Sequence, residues 1–280
     1  MPLARAKINL WLNVTGRRAD GYHLLDSLVA FADLADTVEA AVSDSLTLTV
    51  DGPQAASLAG EADNLVLKAA RLLADRAGVR AGAALALTKH IPVAAGLGGG
   101  SADAAAALRA LATLWRVSLP PEVEFEMAAR LGADVPMCLA GKTALVSGVG
   151  EQLAPAPPLP VCGLLLVNPR VALSTAEVFA ARRGAFTTPR AADRPWTDLA
   201  SLVAVLVQRG NDLTEAAATL RPVIVDVLAF LRQGHGARHA GMSGSGATCF
   251  ALYDSPEIAR RAATTVPAAW WHHAGTFASR

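Results

Sequence analysis

Apolar and polar residues alternate along 3–14 (LARAKINLWLNV), the period of two expected of a half-buried strand. Turn chemistry follows in GRRADG (16–21), and 23–32 read as a second strand. Shorter strands are expected at 37–42 and 45–50. Asp63 is assigned the N-cap of a helix over 64–76, closed by Gly78. Residues 83–90 alternate again and stop at Ile91-Pro92. A glycine loop at 96–100 opens an alanine-rich helix from Ser101 to about Trp115. Pro120-Pro121 starts another helix, which ends at Leu131-Gly132. Strands are expected at 143–147 and 162–167. Between them APAPPLP (154–160) is the most linker-like stretch, and it divides a domain 1–157 from a domain 158–280. Beyond it, 173–183, 199–208, 223–232 and 256–264 read as helices, and 237–241, 249–253 and 270–275 as strands. Residues 184–196 read as an exposed loop. The mixture predicts an α+β fold with helices on one side of a sheet.

Composition narrows the possible functions. Of 280 residues, 52% are hydrophobic and 18% charged, which excludes a disordered chain. Lys and Arg number 25 against 24 Asp and Glu, and a net charge of +1 argues against nucleic acid as partner. Mean hydropathy is +0.35. Alanine supplies most of it, and every apolar stretch is interrupted before the roughly 18 residues a bilayer requires. No secretory pattern opens the chain. The expectation is a soluble, cytoplasmic protein without membrane or nucleic-acid partners. Cys138, Cys162 and Cys249 form no CxxC pair, and no HExxH is present, so no metal ligands are assigned. Lysine is confined to positions 7, 68, 89 and 142, which makes each one a question.

The segment PVAAGLGGGSAD (92–103) places a strand, a glycine run and a helix in that order. Backbone N–H groups freed from side-chain crowding can converge there on an anion, helped by the helix dipole. Spacing excludes the common alternatives. A Walker A loop ending at Gly141-Lys142-Thr143 needs glycine at Pro136, and a dinucleotide GxGxxG starting at Gly96 needs glycine at Ser101. A nucleophile elbow at Ser243 needs glycine at Ser245. Two other residues draw attention on their own. Lys7 lies between the apolar Ala6 and Ile8 of its strand, a costly place for an unpaired ammonium. Asp134, between Gly132 and Pro136, reads as a base on a tightly defined backbone or as a turn or N-cap aspartate.

PVAAGLGGGSAD resembles the central ATP-binding signature of the GHMP small-molecule kinases. ARAKINLWLNVTGRRADGYH (4–23), LGADVP (131–136) and GMSGSG (241–246) resemble three further segments of that family, in the right order from residue 4 to about 253. The first two are similar to its members that act on a cytidine diphosphate alcohol. The resemblance implies a two-domain GHMP kinase fold, with a ribosomal protein S5-like N-terminal domain and a ferredoxin-like C-terminal domain. It implies phosphorylation of the 2-hydroxyl of 4-diphosphocytidyl-2-C-methyl-D-erythritol, in non-mevalonate isoprenoid precursor synthesis, with ATP as donor and Mg2+ as cofactor. Lys7 and Asp134 become the catalytic pair. Pro92, Val93, Ala94, Ala95, Gly96, Leu97, Gly98, Gly99, Gly100, Ser101, Ala102 and Asn64 become the ATP site. Tyr22, His23 and Phe179 become the cytosine site, with Asn9 and Thr175 at the substrate's hydroxyls or phosphates. Two positions depart from the pattern. Ala102 replaces a usual serine, and SGSG replaces SGTG. The alternatives are a GHMP kinase for homoserine, mevalonate or a sugar, and a non-catalytic ligand sensor. The protein is expected as a monomer or homodimer.

Overall fold

The computed structural model describes residues 2–58, 64–189 and 196–278. The chain clusters into two compact units. The first comprises residues 1–7, 34–93 and 98–141, and the second 8–33, 94–97 and 142–280. Strands β1 (Leu3–Arg17) and β2 (His23–Ser43) pair with each other and run through both.

In the first unit, the far end of β2 pairs antiparallel with β4 (Gly82–Thr88), which pairs parallel with β3 (Leu46–Asp51). Alternation builds this layer: Ala83, Leu85 and Leu87 of β4 are buried while Ala86 between them is exposed. Four helices belong to it: α1 (Leu65–Ala77), α2 (Gly99–Trp115), α3 (Pro121–Leu131) and α4 (Val135–Ala140). Helix α2 buries a continuous run from Ala102 to Leu108. A helix enclosed on nearly every side has to be thin, which is what its alanines provide.

The second unit contains β5 (Ala144–Gly148), which pairs antiparallel with the near end of β2, and β6 (Gln152–Pro155) on β5. Its main sheet is antiparallel, in the order β10-β7-β9-β8, from β7 (Gly163–Asn168), β8 (Ala237–Met242), β9 (Cys249–Tyr253) and β10 (Trp271–Gly275). Every residue of β7 and β9 is buried. The helices are α5 (Thr175–Ala181), α6 (Leu199–Arg209), α7 (Thr214–Leu220), α8 (Val223–Gln233) and α9 (Pro256–Ala263). Ile224, Val227 and Leu231 of α8 meet Leu165, Val167 and Ala251 of the sheet in one core. Among the described residues no helix is long and apolar enough to cross a membrane.

Several expectations need correction. The strands expected at 23–32 and 37–42 are one strand. The strand runs on through residues 33–36, where the buried carboxylate of Asp36 accepts the backbone N–H groups of His90 and Ile91. The linker-like stretch 154–160 begins inside β6. Asp63 lies outside the described residues, and the N-cap of α1 is Asn64, whose Oδ1 accepts from Val66 N at 2.9 Å. Within the loop expected at 184–196, residues 190–195 also lie outside them. At its end Trp196 is buried, edge-on to Trp11, with Nε1 donating to the Pro158 carbonyl at 2.9 Å. Helices α4 and α7 were not expected.

Candidate active site

In the first unit, Lys7 of β1 is flanked by the fully buried Ala6 and Ile8, and its Nζ lies 3.0 Å from Asp134 Oδ2. Asp134 occupies the N-cap position of α4, yet its side chain makes no capping hydrogen bond. The carboxylate is turned to the lysine, with 46% of the side chain still exposed. Gly98 is the N-cap of α2, with φ at +63°, and a Cβ there would stand 3.1 Å from Lys7 Cε. Only glycine lets the loop sit against the lysine stem in that conformation. The intrahelical bonds of α2 begin with Ala102 N donating to Gly98 O at 2.9 Å. The N–H groups of Gly99, Gly100 and Ser101 are therefore the unpaired donors of a helix start, where the dipole favours an anion. Gly100 adjoins the start of α1, since a Cβ there would lie 3.6 Å from Leu65 Cδ1. Asn64 is beside that start, with its carbonyl oxygen engaged in capping. Cys138, one turn beyond Asp134, is buried. Burial first, and the Asp134 charge second, push its thiol above the ordinary range, so it stays protonated and inert.

Beneath the loop is a buried cluster that the motifs did not reveal. Lys89 Nζ donates to Asp103 Oδ2 at 2.8 Å and closely to Asp36 Oδ2. Burial raises the Asp103 carboxyl to about 7, Lys89 opposing the rise and Asp36 adding to it. Stranding a charge in such a group typically costs about 3–5 kcal/mol. The only sequence signal was the scarcity of lysine.

In the second unit, residues 94–97 meet the third glycine segment. Thr248 N donates to Ala95 O at 3.2 Å, and Ser243 Oγ donates to Gly96 O at 3.1 Å. Asn9 N donates to the same Ser243 Oγ at 3.2 Å, and Asn9 Nδ2 donates to Ser27 Oγ at 2.8 Å. Asn211 Nδ2 donates to the carbonyls of Met242 and Gly244, both at 2.8 Å. The hydroxyls of Thr175 and Ser245 share a hydrogen bond at 2.9 Å. Ala95 and Leu97 are buried anchors of the glycine loop, Pro92 is half-buried, and Val93, Ala94 and Gly100 are exposed.

The His23 ring stacks on Phe179 with centroids 4.9 Å apart and planes at 22°. Burial first, then the charges of Arg17 and Arg182, lower the pKa of His23 below the ordinary histidine value. A neutral imidazole keeps one donor and one acceptor nitrogen. Tyr22 next to it is 62% exposed, and no described ring stacks on it. The expected residues thus gather as Lys7 with Asp134 and Gly98, His23 with Phe179, and Asn9 with Gly96 through Ser243. Ser243 lies in the recognised segment GMSGSG, but its bonds to Asn9 and Gly96 were not legible there, and Asn211 was missed because it belongs to no recognisable spacing.

Comparison with known proteins gives the following. Residues 64–142 match the model of the GHMP kinases N terminal domain, and 196–272 match that of the GHMP kinases C terminal. The chain is 52% identical over 274 residues to a 4-diphosphocytidyl-2-C-methyl-D-erythritol kinase of Ruegeria pomeroyi, covering 96% of this chain and 95% of that relative. It superposes on a crystal structure of a 4-(cytidine 5'-diphospho)-2C-methyl-D-erythritol kinase with a TM-score of 0.80 and 36% identity, covering 99% of each chain. A homoserine kinase from Cytophaga hutchinsonii superposes with a TM-score of 0.70 at 19% identity over 98% of this chain and 93% of that one, a likeness of fold alone.

Proposed function

We propose a reaction for this chain, which belongs to the GHMP kinase family and within it to the 4-diphosphocytidyl-2-C-methyl-D-erythritol kinases: transfer of the γ-phosphoryl group of ATP to the 2-hydroxyl of 4-diphosphocytidyl-2-C-methyl-D-erythritol. The observation that carries the reading is the Lys7–Asp134 pair at 3.0 Å, with Lys7 directly against Gly98 of the glycine loop. A carboxylate spared from capping and held beside a lysine suits a general base for an alcohol. Next to it stands a row of N–H donors suited to phosphates.

In this mechanism Asp134 accepts the proton of the attacking hydroxyl, and the Lys7 ammonium offsets the negative charge that develops on that oxygen. The oxygen forms its bond to the γ-phosphorus as the bond to the β-γ bridging oxygen breaks, and ADP leaves. The N–H groups of Gly99, Gly100 and Ser101 hold the phosphates, and Asn64 stands by the nucleotide. Phe179 and Tyr22 offer flat faces to the cytosine, while neutral His23 supplies a directional hydrogen bond that selects the base. Asn9 and Thr175 take the hydroxyls or the diphosphate. Mg2+ supplies charge neutralisation at the phosphates. The Ser101 hydroxyl is the group of this chain proposed beside that ion, the nucleotide phosphates and water holding the rest of it. We place the reaction in the cytoplasm.

The test is ADP release with the cytidine diphosphate alcohol, homoserine and mevalonate offered separately. Turnover with the cytidine compound at least a hundredfold above the other two is expected. Equal or better turnover with homoserine or mevalonate would overturn the substrate.

A further inference from the structure

The glycine loop is tied at both ends by the buried cluster beneath it. Lys89 follows β4 and precedes the loop's first residue, Pro92, by three positions. Asp103 lies in α2, three positions beyond Gly100. Asp36 comes from β2. The lysine bridges the two carboxylates, and Asp36 Oδ1 also accepts the N–H groups of His90 at 2.5 Å and Ile91 at 2.8 Å. None of the three side chains is more than 4% exposed. None can touch a nucleotide, so any influence on one passes through the loop.

The point of transmission is Gly99. A Cβ at that position would lie 3.0 Å from Lys89 Nζ and 3.2 Å from Ile91 Cγ2. The ammonium is thus packed against the first residue of α2, one of the three whose N–H groups form the cradle. Stability alone is a poor reason for such a cluster, because well-packed apolar residues often serve as well or better. Asp103 even keeps Oδ1 buried with no hydrogen-bond partner among the described residues. What an ionic tie does supply is a fixed geometry. A cradle of preorganised N–H donors depends on that, since misplacement by about 1 Å is expensive.

We propose that Lys89, gripped by Asp36 and Asp103, is a positioning residue that sets the stance of Gly99 and the start of α2, and through them the affinity for nucleotide phosphates. The proposal rests on the reading of that loop as the ATP site. Lys89→Met keeps the stem and removes the ammonium. The full chain is titrated calorimetrically with MgATP and separately with CDP, and steady-state constants are measured for both substrates. Kd and KM for ATP should rise at least tenfold, with Kd for CDP and KM for the cytidine substrate changed less than twofold. A role confined to holding the fold would lower the active fraction, so that kcat falls with KM for ATP unchanged. That result overturns the proposal.

Lys89→Met strands two buried carboxylates, so the combination Asp36→Asn, Lys89→Met and Asp103→Asn serves as the second variant. It leaves no uncompensated charge, and the same rise in Kd for ATP is expected. An unchanged Kd, or failure of both variants to fold, overturns the proposal. A wild-type chain that binds no MgATP overturns this proposal and the ATP site together. One that binds MgATP but phosphorylates a different alcohol overturns the substrate alone, and the Lys89 comparison still decides.

Discussion

At Asp134 a position that ordinarily consumes a carboxylate leaves it free for chemistry. The residue stands at the N-cap of α4, but its side chain faces Lys7 and solvent instead of the helix. Asp134→Asn keeps the shape and removes the base. It should lower kcat by about 10²–10⁴-fold, the usual contribution of a positioned general base. Kd for MgATP, read by calorimetry, should stay within threefold. Gly96 tests the loop in a different way. Its φ is +74°, and a Cβ would press on the Gly246 carbonyl oxygen and stand 2.9 Å from that of Ser243. Gly96→Ala should therefore raise KM for ATP several-fold and lower the melting temperature, as strain at a left-handed position costs about 1–2 kcal/mol before any clash. Lys7 and Asp134 were legible because four ordered motifs framed them. Asp36, Lys89 and Asp103 were not, because they come from three separate segments, and each by itself is an ordinary polar residue. Only folding sets them within hydrogen-bond distance.

Among the elements, the start of α1 separates two roles of Asn64. Its carbonyl oxygen caps the helix, while its amide is the group proposed for the nucleotide. Asn64→Ala loses the cap and should cost about 1 kcal/mol in chemical denaturation. Asn64→Asp retains an oxygen for the cap and should keep that stability. If the amide meets the nucleotide, Kd for ATP rises in both variants. A rise with alanine alone would leave Asn64 as a cap only. Long amphipathic or alanine-rich elements such as α2 and α8 were readable from periodicity. The failures have physical causes. Helices α4 and α7 span 6 and 7 residues, too few turns for a helical period to emerge. Strand β2 was expected as two strands with residues 33–36 between them, and Asp36 in that gap is satisfied by groups more than fifty residues away. Trp196 looked exposed because its neighbours are prolines and arginines, whereas its partners are Trp11 and the Pro158 carbonyl.

Over the whole molecule, stability should fall on the acid side through His239. Burial, with the charge of Arg232 adding to it, lowers its pKa to about 4 in the folded chain, against 6.5 for an unperturbed histidine. The unfolded chain therefore takes up this proton first as pH falls. The stability present above 6.5 is lost progressively down to about 4, on the order of 3 kcal/mol at roughly 1.4 kcal/mol per unit. Melting temperature measured from pH 7 to 4 should decline, and His239→Asn should flatten part of that decline. Net charge acquires a meaning at this scale as well. On the proposed mechanism, a chain of net charge +1 would handle two polyanionic nucleotides with backbone N–H groups and a few placed cations instead of a basic surface.

The central claim is that the Lys7–Asp134 pair drives phosphorylation of the cytidine diphosphate alcohol, and ³¹P NMR of the reaction mixture tests it most directly. Wild-type enzyme with ATP and the alcohol should yield one new phosphomonoester resonance beside the intact diphosphate pair of the cytidine compound, in step with ADP, while Asp134→Asn should yield almost none in the same time. ADP without the phosphomonoester, or the same product at wild-type rate from Asp134→Asn, would contradict it.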